Sequence, residues 1–297
     1  MAKLLILLAE LGESPAEIRG FARSLHAHCV KVALGGEALD VCGTGGVTQA
    51  RFNVSTTAAF VLAAGGTPVA KHGNKGSRRP NGSFDLLDHL KIAYSSDPAV
   101  SARLFQAHKL CFLFARYHHP AMRHLAATRA KLGRRSIFNL VGPLSNPAGA
   151  GYQIVGAADR KVAEKLAAVF TGLTRQRVLV LHGHPGLDEF SLSGATETWL
   201  VEAGQVTQRT FTPAELGFRE RPYESLPGGD VEVNAGLFLR LMAGETCDGL
   251  ADLVALNAGA ALWVYGAAPS IRAGAEQARA DLASGRVRAF FEAYPKI

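Results

Sequence analysis

The chain has 297 residues, of which 48% are hydrophobic and 19% charged, with 32 glycines. That profile excludes a disordered chain and is long enough for one large domain with a smaller one beside it. No uninterrupted apolar run approaches the roughly 18 residues of a membrane span, so no membrane association is expected. Lysine plus arginine exceeds aspartate plus glutamate by 32 to 25, a formal charge of +7. Such a balance favours anionic partners (phosphates, pyrophosphate or nucleic acid), although a solvated basic surface accounts for the charge alone equally well.

The first elements in chain order are helical. Residues 4–11 and 15–28 read as two short helices separated by Gly12-Glu13-Ser14, with Ser14 as N-cap and Pro15 in the first helical position. The apolar start is followed by Glu10 and Glu13 without a small-residue cleavage site, and reads as helix rather than signal peptide. Residues 38–42 form a short strand that runs into Gly43-Thr44-Gly45-Gly46. A helix spans 53–64 and stops at Gly65-Gly66. A second strand, 68–71, leads into the polar loop 72–81 and a short helix, 82–90. A helix over 98–108 and a strand over 110–115 follow, then a strand at 152–157, a helix at 160–170 and a strand at 177–182. The C-terminal part reads as helices at 250–265, 270–283 and 286–294. Alternating strands and helices predict an α/β fold, a mainly parallel sheet flanked by helices. Cys29, Cys42, Cys111 and Cys247 are widely spaced, which fits neither a zinc site nor a disulfide framework and suits a reducing cytoplasm.

Four constellations carry chemistry. A glycine turn after a strand, Gly43 to Gly46, brings backbone N–H groups close to an anion. The helix start Asn53-Val54-Ser55-Thr56 adds unpaired N–H donors, a partial positive charge and two hydroxyls, so phosphate binding is the expectation. Lys71-His72-Gly73-Asn74 closes the second strand; ligands in open α/β sheets sit at such carboxyl ends. Lys71 is a counter-charge for phosphate and Asn74 a hydrogen-bonding orienter, whereas His72 reads as a buried histidine satisfied by backbone. Lys75, Arg78 and Arg79 make a basic loop. Leu187-Asp188-Glu189 offers paired hard carboxylates suited to Mg²⁺. Arg129 is suited to a substrate carboxylate, and the following segment, 136–147, is a loop stiffened by Pro143 and Pro147. His26, His28, His118, His119 and His124 have no nucleophile to partner, and neither GxSxG nor HExxH occurs, which argues against a hydrolase.

In order, GTGG, NxST, KHGN, Gly82-Ser83-Phe84-Asp85, Leu-Asp-Glu and FNxxGPLxNP resemble the anthranilate phosphoribosyltransferase family, and Leu256 to Leu262 extends the likeness over nearly the whole chain. The resemblance implies a fold shared with pyrimidine nucleoside phosphorylases: a small all-helical domain, residues 1–32 and about 96–130, and an α/β domain, 33–95 and about 131–297. It implies a homodimer, and about one more helical hairpin at the N-terminus, so that by this comparison the sequence is expected to begin inside the family's third helix. By motif match, Gly43, Gly46, Asn53, Ser55, Thr56, Lys71 and Ser83 hold phosphoribosyl pyrophosphate (PRPP). Gly43, Asn74, Arg129 and Pro143 meet the aromatic amine, and Ser55, Asp188 and Glu189 hold Mg²⁺. The implied reaction, in tryptophan biosynthesis, is displacement of pyrophosphate at the anomeric carbon by the amine, with no obligatory protein nucleophile. The chain departs from the family pattern at Val47, where aspartate is usual, and at Arg78-Arg79, where two serines are usual. The alternative these departures raise is a relative with changed or lost activity that binds nucleic acid or another polyanion through the basic loop.

Overall fold

The computed structural model describes residues 2–45, 51–76, 80–125 and 136–297. The chain begins with two helices, α1 (Ala2–Leu11) and α2 (Pro15–Ala27). Ser14 caps α2: its Oγ accepts from the Glu17 N–H at 3.3 Å while the Glu17 carboxylate accepts from the Ser14 N–H at 2.8 Å, a reciprocal capping box. Strands and helices then alternate. β1 (Leu39–Gly43), α3 (Val54–Ala64), β2 (Val69–Gly73), α4 (Ser83–His89), α5 (Pro98–His108) and β3 (Leu110–Phe114) make the first half. The short helices α6 (Ala115–His118) and α7 (Phe138–Val141) precede β4 (Tyr152–Gly156), α8 (Arg160–Phe170) and β5 (Arg177–Gly183). A hairpin of β6 (Thr196–Glu202) and β7 (Gln205–Phe211) is followed by α9 (Val231–Met242), α10 (Leu250–Tyr265), α11 (Ile271–Ala283) and α12 (Arg286–Ala293).

The seven strands lie in the order β3-β2-β1-β4-β5-β6-β7. Pairing is parallel from β3 through β5 and antiparallel for β5–β6 and β6–β7. β3 reads LCFLF and is buried at every position, as a strand covered on both faces requires. β7 is exposed at six of seven positions and carries Gln205, Thr207, Gln208 and Arg209, which suits an edge facing water. The expected α/β class with a mainly parallel sheet holds. The strands at 39–43 and 69–73 run one or two residues past their expected ends, because parallel pairing carries through to Gly43 and Gly73.

Helices cover both faces. On one, α3 and α10 are buried along most of their length, and Phe60 sits among the rings of Phe112, Phe238, Phe291 and Tyr294 at centroid distances of 5.4–5.8 Å. The segment Cys247–Tyr265 is long and apolar enough to cross a membrane, yet 72% of it is buried as a core helix. α10 and α11 meet where Gly259 faces Ala275: a Cβ on Gly259 would lie 2.2 Å from the Ala275 nitrogen. On the other face, Ile18 and Ala22 of α2 join Leu166, Ala167 and Phe170 of α8 in a second core. Arg19 and Arg23 tie the two helices by donating to the carbonyls of Ala168 and Gly172, each at 3.1 Å.

Candidate active site

Strand order reverses between β1 and β4, since β1 leads outward to β2 and β3 while β4 leads outward to β5. That switch opens a crevice at the carboxyl ends of the two central strands. Gly43, Gly156 and Gly183 end β1, β4 and β5. The segment Asp188-Glu189 is laid across them. A Cβ on Gly43 would fall 2.3 Å from the Asp188 Oδ2, one on Gly156 1.8 Å from the Asp188 carbonyl oxygen, and one on Gly183 2.3 Å from that of Glu189. Three strand-end glycines therefore make a trough for the two acidic residues, and only glycine permits that approach. The Gly45 N–H donates to Asp188 Oδ2 at 3.0 Å, so the glycine turn and the carboxylate pair, 143 residues apart, form one site.

α3 points into the same crevice. Asn53 occupies its N-cap position without capping it by side chain. Instead its Nδ2 donates to the Asn81 carbonyl at 3.2 Å and its Oδ1 accepts from Asn234 Nδ2 at 2.9 Å. The N–H groups of the first turn keep no side-chain cap, an arrangement that suits an anion. Ser55 Oγ accepts from Lys71 Nζ at 3.1 Å, and the Thr56 hydroxyl is buried with no hydrogen-bond partner. Ser83 opens α4, and its side chain lies beside Gly73 at the end of β2.

Lys71 is 1% exposed, and its ammonium also donates to the Val41 carbonyl at 2.5 Å. It lies deeper than a surface counter-charge would. Burial pulls its pKa down while nearby Asp40 pulls it up. Asp40 is fully buried, and burial raises its carboxyl above the usual range against the opposing pull of Lys71. It accepts from the His72 N–H at 3.1 Å and from Gln153 Nε2 at 3.2 Å. The same Gln153 nitrogen donates to the Pro143 carbonyl at 2.5 Å, and Asn146 Nδ2 donates to the Ala70 carbonyl at 2.9 Å. The KHGN loop and the GPL turn are thus knitted together beneath the site by a buried polar network.

His72 is buried and bonded to backbone at Gly142, as expected, and its ring also meets a side chain: the Nε2 atoms of His72 and His119 lie 3.2 Å apart. Burial depresses both rings, His119 to about 4, so both are neutral near pH 7 and one supplies the shared proton. Asn74 Oδ1 accepts from the Lys75 N–H at 2.9 Å, and Lys75 is paired with Asp88 at 2.6 Å. Gly46, Val47, Arg78, Arg79 and Arg129 lie outside the described residues, and with them the two arginines on which the polyanion alternative turns.

Asp188 and Glu189 are each 8% exposed. Glu189 has its carboxyl pushed up to about 7 by burial, with Arg51 pulling the other way. A buried pair of carboxylates is a hard-oxygen donor set, and Mg²⁺ binds through one or two carboxylates plus substrate phosphates. The residues therefore fit that ion. Arg51, which the sequence motifs did not single out, forms an ion pair with Asp188. Asn81 and Asn234, also missed, hold the Arg51 carbonyl through Nδ2 donors at 3.1 and 2.8 Å. Neither asparagine has a local motif. Their partners lie 30 and 183 residues away, beyond what spacing reveals.

An anion-binding helix start and glycine turn facing paired carboxylates, at the switch point of a parallel sheet, define a phosphate-handling α/β transferase, and residues 35–288 match the glycosyl transferase family, a/b domain. The chain is 46% identical to anthranilate phosphoribosyltransferase from Methylobacterium radiotolerans over 94% of its own length and 80% of that protein's, and 43% identical to the enzyme from Roseiflexus sp. over 98% and 86%. It belongs to the anthranilate phosphoribosyltransferase family. Among solved structures it resembles the Thermus thermophilus enzyme, with a TM-score of 0.91 at 41% identity, covering 99% of this chain and 88% of that one. It also resembles the Saccharomyces cerevisiae enzyme in complex with PRPP and Mg, with a TM-score of 0.87 at 25% identity, covering 98% and 82%.

Proposed function

We propose that this chain transfers the phosphoribosyl group of PRPP to the amino group of anthranilate and releases pyrophosphate, as a Mg²⁺-dependent pentosyltransferase of tryptophan biosynthesis. The observation that carries this reading is the Asp188-Glu189 segment seated on three strand-end glycines and bonded to the Gly45 N–H. Carboxylates held beside a glycine turn in this way support a site for a metal and a phosphate together. In the proposed reaction the C–O bond to pyrophosphate breaks at the anomeric carbon, a C–N bond forms to the amine, and the amine loses a proton.

Each residue group has a part in it. The Gly43–Gly46 turn, Asn53, Ser55, Thr56, Lys71 and Ser83 bind PRPP. The uncapped first turn of α3 directs N–H groups at phosphate oxygens, and Lys71 fixes the Ser55 hydroxyl from beneath. Gly43, Asn74, Arg129 and Pro143 bind anthranilate, with Arg129 on its carboxylate. Ser55, Asp188 and Glu189 hold the metal, which when bound offsets the charge that develops on departing pyrophosphate. Catalysis is then largely positioning and electrostatic stabilisation. We extend the reading to a homodimer in the cytoplasm, with residues 1–32 and about 96–130 as a small helical domain and the remainder as the α/β domain.

The test is formation of phosphoribosyl anthranilate from PRPP and anthranilate, with Mg²⁺ supplied or omitted. Metal-dependent product is expected. Tight PRPP binding with no product from anthranilate would show that the acceptor is misassigned, and no PRPP binding would overturn the reading altogether.

A further inference from the structure

We infer that Arg51 is a resident counter-ion of the carboxylate pair, occupying Asp188 until a divalent metal displaces it. This rests on the reading above that Asp188 is a metal ligand. The two guanidinium nitrogens of Arg51 address the two oxygens of Asp188: Nη1 pairs with Oδ1, and Nη2 donates to Oδ2 at 3.4 Å. Oδ2 also accepts from the Gly45 N–H at 3.0 Å. Both carboxylate oxygens are therefore engaged before any metal arrives, in the forked geometry that makes arginine–carboxylate pairs strong. A cation binding Asp188 must break that pair.

The arginine is built for exchange. Its root is fixed: the Arg51 carbonyl accepts from Asn81 and Asn234, and a Cβ on Gly228 would sit 2.6 Å from the Arg51 carbonyl carbon. Its tip is freer, since the Arg51 side chain is 27% exposed against 3% for that of Asp188. An uncompensated buried charge is costly. Arg51 offsets that cost at Asp188 in the metal-free protein. The consequence is weak affinity for free metal: the ion binds well only when substrate phosphates add ligands enough to outweigh the lost guanidinium.

The experiment is calorimetric titration of the full chain with MgCl₂ and, separately, MnCl₂ in the absence of PRPP, for wild type, Arg51→Gln, Arg51→Lys and the double variant Arg51→Gln/Asp188→Asn. Circular dichroism would verify that each is folded. Arg51→Gln should bind either metal at least about tenfold more tightly than wild type, as expected for removing a charge in direct contact with the site. Arg51→Lys, which keeps the cation, should stay near wild type, and the double variant should lose the gain. Equal or weaker metal binding by Arg51→Gln overturns the exchange, as does a gain that survives in the double variant. Titration of wild type with MgCl₂ in saturating PRPP tests the underlying reading separately: tight binding there with no gain in Arg51→Gln sinks the counter-ion alone, whereas no binding there sinks the metal site as well.

Discussion

At the scale of single residues, the site depends on how closely Asp188 can approach a strand end. Gly43→Ala would place a methyl group 2.3 Å from Asp188 Oδ2 and 2.9 Å from its Cγ. The carboxylate, being a side chain, would swing aside, and with it the contact to the Gly45 N–H. The expected outcome is a loss in kcat/KM of about tenfold or more with little change in melting temperature, since on the proposed reading of Asp188 as a metal ligand its displacement costs positioning rather than packing. A melting temperature that falls as far as activity would point to misfolding instead. Arg129→Ala should raise the KM for anthranilate much more than that for PRPP, by an amount equivalent to about 1.5–3 kcal/mol for a charged hydrogen bond. Steady-state kinetics with each substrate varied in turn checks the assignment, and a selective rise in the PRPP KM would contradict it.

At the scale of elements, the crossing of α10 and α11 is set by two glycines. A Cβ on Gly259 meets the Ala275 backbone at 2.2 Å, and one on Gly274 meets the Gly259 carbonyl oxygen at 2.5 Å. Backbone cannot rotate away as a carboxylate can, so Gly259→Ala should destabilise the protein by about 2–3 kcal/mol through overpacking, with substrate KM values unchanged in the folded fraction. Urea unfolding measures the first effect and kinetics the second. Much of this layer was legible in the sequence. Ser14, Pro15, Gly65-Gly66 and the buried apolar runs mark helices and parallel strands by local chemistry, and the motifs placed the glycine turn, Asn53, Lys71 and the carboxylate pair at strand or helix ends. The hairpin 196–211 and the helix 231–242 were not anticipated. β7 is polar at five of its seven positions and exposed at six, so it carries no clear alternation to read; it is a strand because β6 offers it a ladder of hydrogen bonds. Arg51, Asn81, Asn234 and the trough glycines 156 and 183 escaped for a different reason: their roles exist only through partners far along the chain.

At the scale of the whole molecule, buried histidines couple stability to pH. His72, His118 and His119 all have pKa values lowered from 6.5, chiefly by burial, His119 to about 4. The unfolded chain takes up protons near pH 6.5 while the folded chain resists them, so between about pH 6.5 and 4 the unfolded state binds more protons. Their contribution to stability is therefore full above pH 6.5 and is lost as pH falls, each such histidine contributing a slope of up to about 1.4 kcal/mol per pH unit. The raised carboxyls of Glu189 and Asp40 act in the opposite sense, so the histidine effect is read from a comparison: between pH 7.5 and 4.5, urea midpoints of His119→Gln should lose less, or gain more, than those of wild type as pH falls. A profile identical to wild type would mean that His119 takes up its proton as readily in the fold as in the unfolded chain.

The long reach of the contacts has a consequence for synthesis. Gly45 meets Asp188 across 143 residues, and Asn234 meets Arg51 across 183. While the ribosome is still making the first half of the chain, the glycine turn has nothing to face, and the α3 entrance lacks the asparagine that secures it. The nascent protein can gather its first strands and helices, but the pocket closes only after most of the polypeptide has emerged, because contacts so distant in sequence form after local ones. A prematurely terminated product that stops before residue 188 would thus carry the glycine turn and the α3 entrance and no carboxylate pair to set against them.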